Sequence, residues 1–148
     1  MPSRLDSLYS YLRLLLERYN SSMAAAIYRK NNILAIGFAS PITHLKLVNA
    51  KSFLPSLHAE MDAFRKFYNS YCRTHKKHIS ANMLVVRFSS YNYYAISKPC
   101  INCLKFLSTN TGSLSIKNIS YANNESIVTE KLENIKTSHI SRGWRLRK

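Results

Sequence analysis

The sequence predicts a single α/β domain in layers, with helices packed on a mixed sheet of about five strands. Three observations carry that prediction. A length of 148 residues and a mass of 17.1 kDa suit one domain (residues 1–148) that buries most of its apolar surface, and 46% hydrophobic residues supply its core. Only 3 glycines and 4 prolines are present, so no stretch reads as a linker, and no internal repeat is visible. Segments with the period of a helix alternate with apolar runs of strand length, the pattern of a sheet with helical crossovers.

Leu5, Leu8, Leu12, Leu15, Leu16 and Tyr19 recur at helical spacing, with Arg4, Arg13 and Glu17 largely off that face. Residues 4–19 are therefore expected to form an amphipathic helix, ended by Asn20-Ser21-Ser22. Met23 to Tyr28 reads as a strand, Asn31-Asn32 as a turn and Ile33 to Phe38 as the antiparallel partner. Residues 39–57 hold Pro41 and Pro55 without a sustained period and read as a long loop, a candidate wall for a substrate. Met61, Phe64, Phe67, Tyr68 and Tyr71 fall at three- and four-residue steps and mark a helix from His58 to Tyr71. Asn82 to Phe88 is rich in Leu and Val and reads as a central strand, parallel to a later one, with Tyr93 to Ser97 extending or following it. Cys100 to Ser108 reads as another helix with Leu104 and Leu107 inward, and Ile116 to Tyr121 as another strand.

The chemistry is carried by His58-Ala59-Glu60 and Pro99-Cys100-Ile101-Asn102-Cys103. Zinc is usually four-coordinate, and a hydrolytic site keeps three protein ligands and leaves the fourth position for water. His58, Cys100 and Cys103 supply three ligands. The Cys-x-x-Cys spacing lets two thiolates close on one ion from the first turn of a helix, where free N–H groups and the helix dipole favour the thiolate. Pro99 suits a helix start, where a missing N–H leaves no helical bond unmade. Glu60, two residues past His58, points about 200° around the helix from it, so it can move protons while the other three hold the ion. Each half is weak alone. His-x-Glu occurs on ordinary polar helix faces, and Pro-Cys-x-x-Cys also serves as a redox pair, a structural half-site or two buried thiols. Together and in this order they match the signature of zinc nucleobase deaminases, with one zinc per chain and Glu60 as the catalytic residue.

On Leu57-His58-Ala59-Glu60-Met61-Asp62-Ala63 and Lys98-Pro99-Cys100-Ile101-Asn102-Cys103-Leu104 the chain resembles the cytidine/deoxycytidylate deaminase superfamily. It looks most like the deaminase-like proteins of phages and large DNA viruses, over about residues 20 to 122. The resemblance implies a cytidine-deaminase-like sheet with zinc between two helix N-termini. It also implies hydrolysis of cytosine to uracil, with adenine to hypoxanthine as the second choice. In those relatives a Gly-aromatic-Asn stretch and a Thr-His pair precede the helix; here Gly37-Phe38 is followed by Ala39, and Thr43-His44 is kept. An asparagine upstream of the His-Ala-Glu touches the sugar in related nucleoside and tRNA deaminases. Asn49 is the nearest candidate, and His44 and Ala59 complete the expected substrate contacts.

Charge bears on the substrate. Lysine and arginine number 22 against 7 acids, a formal charge of +15. Each phosphate contact releases counterions and adds affinity for a polyanion, whereas a free nucleoside asks for no such excess. A coding bias explains abundant lysine better than it explains scarce acids. RNA (tRNA included) or single-stranded DNA is the expected partner. A deaminase of free dCMP or cytidine is the alternative, and a basic RNA-associated structural protein with a deaminase fold is the alternative from another class. In the basic tail, about residues 139–148, Arg142, Arg145, Arg147 and Lys148 surround Trp144, an arrangement that suits phosphates and unstacked bases. A terminus with Trp144 tucked against the core is the competing reading. Arg65, Lys66, Arg73, Lys76 and Lys77, with His75 and His78, form a second basic stretch, its histidines on the surface. Tyr91, Tyr93 and Tyr94 are expected to pack on the domain surface or at an oligomer contact, and a homo-oligomer is compatible with this.

Three cysteines are too few for a disulfide framework, and two are assigned to the metal. A reducing intracellular compartment follows, cytoplasm or nucleus, with an organelle left open. Cys72 lies about four helical turns past His58 and reads as a structural thiol. No segment reaches the roughly twenty apolar residues of a membrane span, so no membrane partner is expected. Asp6 and Glu17 favour a structural first helix over a targeting presequence.

Overall fold

The computed structural model describes residues 3–39, 58–72, 78–109 and 114–135. The chain opens with helix α1 (Arg4–Tyr19), fixed at its start by a reciprocal capping box. Ser3 Oγ accepts the Asp6 N–H at 3.1 Å, and the Asp6 carboxylate accepts the Ser3 N–H at 3.2 Å. Asn20 stops the helix in the left-handed conformation, φ 52°, which asparagine tolerates better than most residues. Strands β1 (Met23–Arg29) and β2 (Asn32–Phe38) form the expected hairpin. Helix α2 (Ala59–Phe67) runs on into a π-helical turn at Tyr68–Cys72. It is followed by β3 (Ile79–Arg87), α3 (Ile101–Thr109), β4 (Leu114–Ala122) and β5 (Ile127–Lys131). No helix among the described residues is long and apolar enough to cross a membrane.

The strand order is β2-β1-β3-β4-β5, with β3 and β4 parallel and the other neighbours antiparallel. The mixed five-stranded sheet therefore stands, but its membership differs from expectation in two places. Tyr93 to Ser97 is not a strand, because Ser97 turns in to bond the ends of β3 and β4. The fifth strand is Ile127–Lys131, a short edge strand whose alternation is too brief to register in the sequence. The central strand also begins earlier than read, at Ile79.

Alternation along each strand divides the core into two layers. Ala25, Ile27, Met83, Val85, Ile119 and Tyr121 face α2 and α3, meeting Ala63, Phe64, Phe67, Leu104 and Leu107. Ala24, Ala26, Leu84, Val86 and Ala122 face the other way onto Tyr9, Leu12 and Leu16 of α1. A bulge at Lys117 shifts the pairing of β4 with β3, so Leu114 and Ile116 share a face with Ile119 and Tyr121. On α1 the buried spine is Tyr9, Leu12 and Leu16, while Tyr19 is 64% exposed. Arg13 lies closer to the core than its charge suggests. Its guanidinium sits 4.8 Å from the ring centroids of both Phe88 and Tyr93 and donates to Ser89 O at 2.9 Å.

α2 lies unusually close to β2. A Cβ built on Gly37 would collide with the backbone N and Cα of Ala63 and with Ala59 O, so only glycine admits the first turns of the helix at this point. Gly37→Ala is expected to push α2 away from the sheet and destabilise the protein by about 1–3 kcal/mol, the ordinary range for overpacking, measured by urea unfolding. Unchanged stability would mean that the helix shifts without loss.

Candidate metal centre

The parallel β3–β4 pair fixes where the two sequence motifs meet. α2 and α3 both pack on the same sheet face. His58 is the N-cap residue of α2, in extended conformation (φ −82°, ψ 146°), and Cys100 immediately precedes α3. Cys103 lies in the first turn of α3, where Leu104 N–H already bonds Cys100 O at 3.0 Å. Two helix starts thus present His58, Cys100 and Cys103 to one another, with their ligand atoms all within 4.8 Å.

The donor set fits zinc. A tetrahedral ion at ordinary bond lengths of about 2.0–2.3 Å holds its nitrogen and sulfur ligands about 3.5 Å apart. His58 Nδ1 lies 3.5 Å from Cys100 Sγ and 2.9 Å from Cys103 Sγ, so one thiol need only move slightly outward. Both thiols are buried, Cys100 at 4% and Cys103 at 0% exposure. The hydrogen bond from Cys103 brings the Cys100 thiol down to about 4 against the opposing effect of burial, helped by His58 and the Cys103 N–H. The same bond, together with burial, pushes Cys103 up. The bond to Cys100 raises His58.

Glu60 stands beside this cluster, only 3% exposed. Burial pushes its carboxyl above the usual carboxylate range, while His58 and a hydrogen bond with Cys103 pull the other way. A carboxyl buried in this way favours its protonated form more than an exposed one does. Ala59, the first residue of α2, is 1% exposed, its carbonyl turned to Gly37. Of the other expected contacts, Asn49 and His44 lie outside the described residues, as do Arg142, Trp144, Arg145, Arg147 and Lys148 of the tail and Arg73, His75, Lys76 and Lys77 of the second basic stretch.

The helix starts and the mixed sheet reproduce the cytidine-deaminase-like layout that the two motifs imply. A phage enzyme is among the similar structures. The chain is similar to the crystal structure of a dCMP deaminase from the cyanophage S-TIM5 in apo form, with a TM-score of 0.44 and 16% identity over 76% of this chain and 80% of that one. No protein-family model matches the chain, and no curated protein matches it.

Two residues that shape the centre escaped the sequence reading. Asp62, 4% exposed, accepts the Phe38 N–H at 2.9 Å and ion-pairs with Lys66 and Arg65 at 2.9 and 3.0 Å. Burial alone would push its carboxyl up, but these bonds and the charge of Lys66 bring it below the usual range. Arg65 and Lys66 are therefore tied to Asp62, which changes how two of the five lysines and arginines of the expected basic stretch read. Its i+4 partner in Lys66 was a visible signal.

Ser97 is the second. It is 1% exposed, donates to Val85 O at 2.8 Å and accepts the Ala122 N–H at 2.9 Å, while its own N–H bonds Ala122 O at 3.1 Å. It thus closes the gap where β3 and β4 part, two residues before Pro99. Only its place ahead of the Pro-Cys motif hinted at this. Ser97→Ala leaves a buried carbonyl and a buried N–H without these partners, which should lower stability by about 2–4 kcal/mol in denaturant titration. A loss below about 0.5 kcal/mol would show that water takes over both bonds.

Proposed function

We propose that the protein is a zinc-dependent hydrolase that removes the exocyclic amine from cytosine in RNA or single-stranded DNA, adenine being the second choice of base. The observation that carries the reaction is a buried carboxyl, Glu60, beside three ligands that leave a fourth coordination position for the reactants. The chemistry that zinc supplies in such a set is Lewis acidity, which brings the pKa of water to about 7.

His58, Cys100 and Cys103 would hold the ion, and the two thiolates would offset its charge. Glu60 accepts a proton from the attacking water and passes it to the ring nitrogen beside the amine-bearing carbon, which makes that carbon electrophilic. It then takes the remaining proton from the added hydroxyl and delivers it to the departing amine, so that cytosine and water become uracil and ammonia. A purely structural ion has no use for a carboxyl buried at this position, and burying one without a role is unfavourable.

The polymeric substrate is supported by the formal charge of +15. A mononucleotide asks for only one or two basic contacts.

Glu60→Gln should retain one zinc per chain and the native circular dichroism spectrum while turnover drops about 10²–10⁴-fold. Turnover close to wild type in that variant would sink the mechanism. The substrate assignment is checked separately, by incubating the protein with cytidine, dCMP and C- or A-containing RNA and DNA oligonucleotides, scoring uracil and hypoxanthine, and titrating oligonucleotide binding against salt. Uracil in an oligonucleotide, with affinity that falls linearly in log–log against salt, is the expected result. Deamination of dCMP alone, with no oligonucleotide binding at low salt, would replace the polymer by a free nucleotide and leave the reaction standing.

A further inference from the structure

We propose that Asp62 and Lys66 are a positioning pair that locks the first turns of α2 onto the edge of β2 and so sets where His58 and Glu60 sit. The catalytic part of this inference rests on the function proposed above; the structural part does not.

β2 is an outer strand of the sheet, so its main-chain groups alternate between those that bond β1 and those that point off the edge. Ala39 N–H bonds Met23 O at 3.0 Å, on the β1 side. The neighbouring Phe38 N–H and Ile36 C=O therefore point outward. Asp62 accepts the first at 2.9 Å and Lys66 Nζ donates to the second at 3.4 Å. Asp62 and Lys66, an i, i+4 pair one helical turn apart on α2, reach two outward groups of β2 with their charged ends 2.9 Å apart. The two side chains thus act as a short substitute strand.

Gly37 lies between those two main-chain groups, and its missing side chain lets Ala59 O and the Ala63 backbone approach. The Asp62 side chain is only 6% exposed, and its charge is matched by Lys66 at 2.9 Å, Arg65 at 3.0 Å and the Phe38 N–H. Lys66 Nζ also lies 5.5 Å from the Phe38 ring centroid. Asp62 N–H bonds His58 O at 3.0 Å, one helical turn from the metal ligand and two residues from Glu60. Sliding α2 along β2 would break both edge bonds and carry His58 and Glu60 away from the cysteines, which a different helix holds.

A merely structural role predicts lost stability alone, and a role in blocking strand addition at the β2 edge predicts self-association alone. The test is therefore read at the centre. Wild type, Asp62→Ala, Asp62→Asn and Lys66→Met are loaded with Co(II), and the ligand-field spectrum, kcat, KM and sedimentation are measured well below the melting temperature. Asp62→Ala should shift the cobalt spectrum and lower kcat about ten-fold or more, with KM changed much less, because misplacement by about an ångström is expensive in catalysis. Asp62→Asn, which can still accept the Phe38 N–H, should recover part of both readouts, and Lys66→Met should resemble it. If Asp62→Ala does not fold, Asp62→Asn decides alone, with a partial spectral shift expected. Lower melting temperature or dimerisation, with cobalt spectrum and kcat as in wild type, would overturn the proposal. The cobalt readout needs no turnover, so it stands even if the wild type deaminates nothing.

Discussion

β3 and β4 run parallel, and parallel neighbours cannot be joined by a tight turn. The chain has to leave the carboxyl end of β3, cross the sheet and return to the start of β4, and α3 is that crossing. Its first turn therefore begins beyond the carboxyl edge of the strands, the place where open α/β sheets carry their sites. α2 enters the same sheet face with its own start, on the opposite side of β3 in the strand order. Candidate ligands from two distant stretches of sequence meet because both helices start at this end of one sheet face. Ser97 belongs to the same constraint, since strands that diverge at their ends leave main-chain groups that something must satisfy.

The second condition is electrostatic. Glu60, Asp62 and the Cys100 thiolate all bring negative charge into a poorly hydrated region, which is unfavourable unless each has partners. They are treated differently. Asp62 has two cations and an N–H and is held ionised, as a structural charge. Among the described residues Glu60 has no lysine or arginine partner, and burial pushes it towards its protonated form. Two carboxyls separated by one residue thus have opposite tendencies, set by what surrounds them.

Much of this was legible in the sequence because the informative signals were local. The first helix, the hairpin and helices α2 and α3 follow from periodicity, and the cluster of His58, Cys100 and Cys103 from short motifs. The signals that failed were those whose meaning depends on distant partners. Ser97 looks like any loop serine until β3 and β4 are in place. Tyr9 becomes the buried centre of α1 only because Tyr93 and Tyr94 arrive at ring distances of 5.3 and 5.5 Å, with the Tyr9 hydroxyl donating to Tyr93 O. Two of the three loop tyrosines thus pack against α1, whereas Tyr91 is 98% exposed. β5 was missed for the reason edge strands often are: five residues with three polar ones leave almost no alternation.

The same distinction governs the basic residues. Counted along the sequence, Arg65 and Lys66 belong to a run of positive charge available to a polyanion. In the fold they answer to Asp62, and Lys66 also to the edge of β2. Arg13 is engaged between Phe88 and Tyr93. Asp62 offsets one of these three charges at short range, and the excess of +15 rests chiefly on the other cations of the chain. On the proposed reading, the field of that excess would steer a polyanion to the molecule as a whole, and the four residues of the centre would act on a base once it arrives. Reaction and substrate would then rest on different physics: short-range geometry set by two helix starts, and the long-range field of the excess of +15.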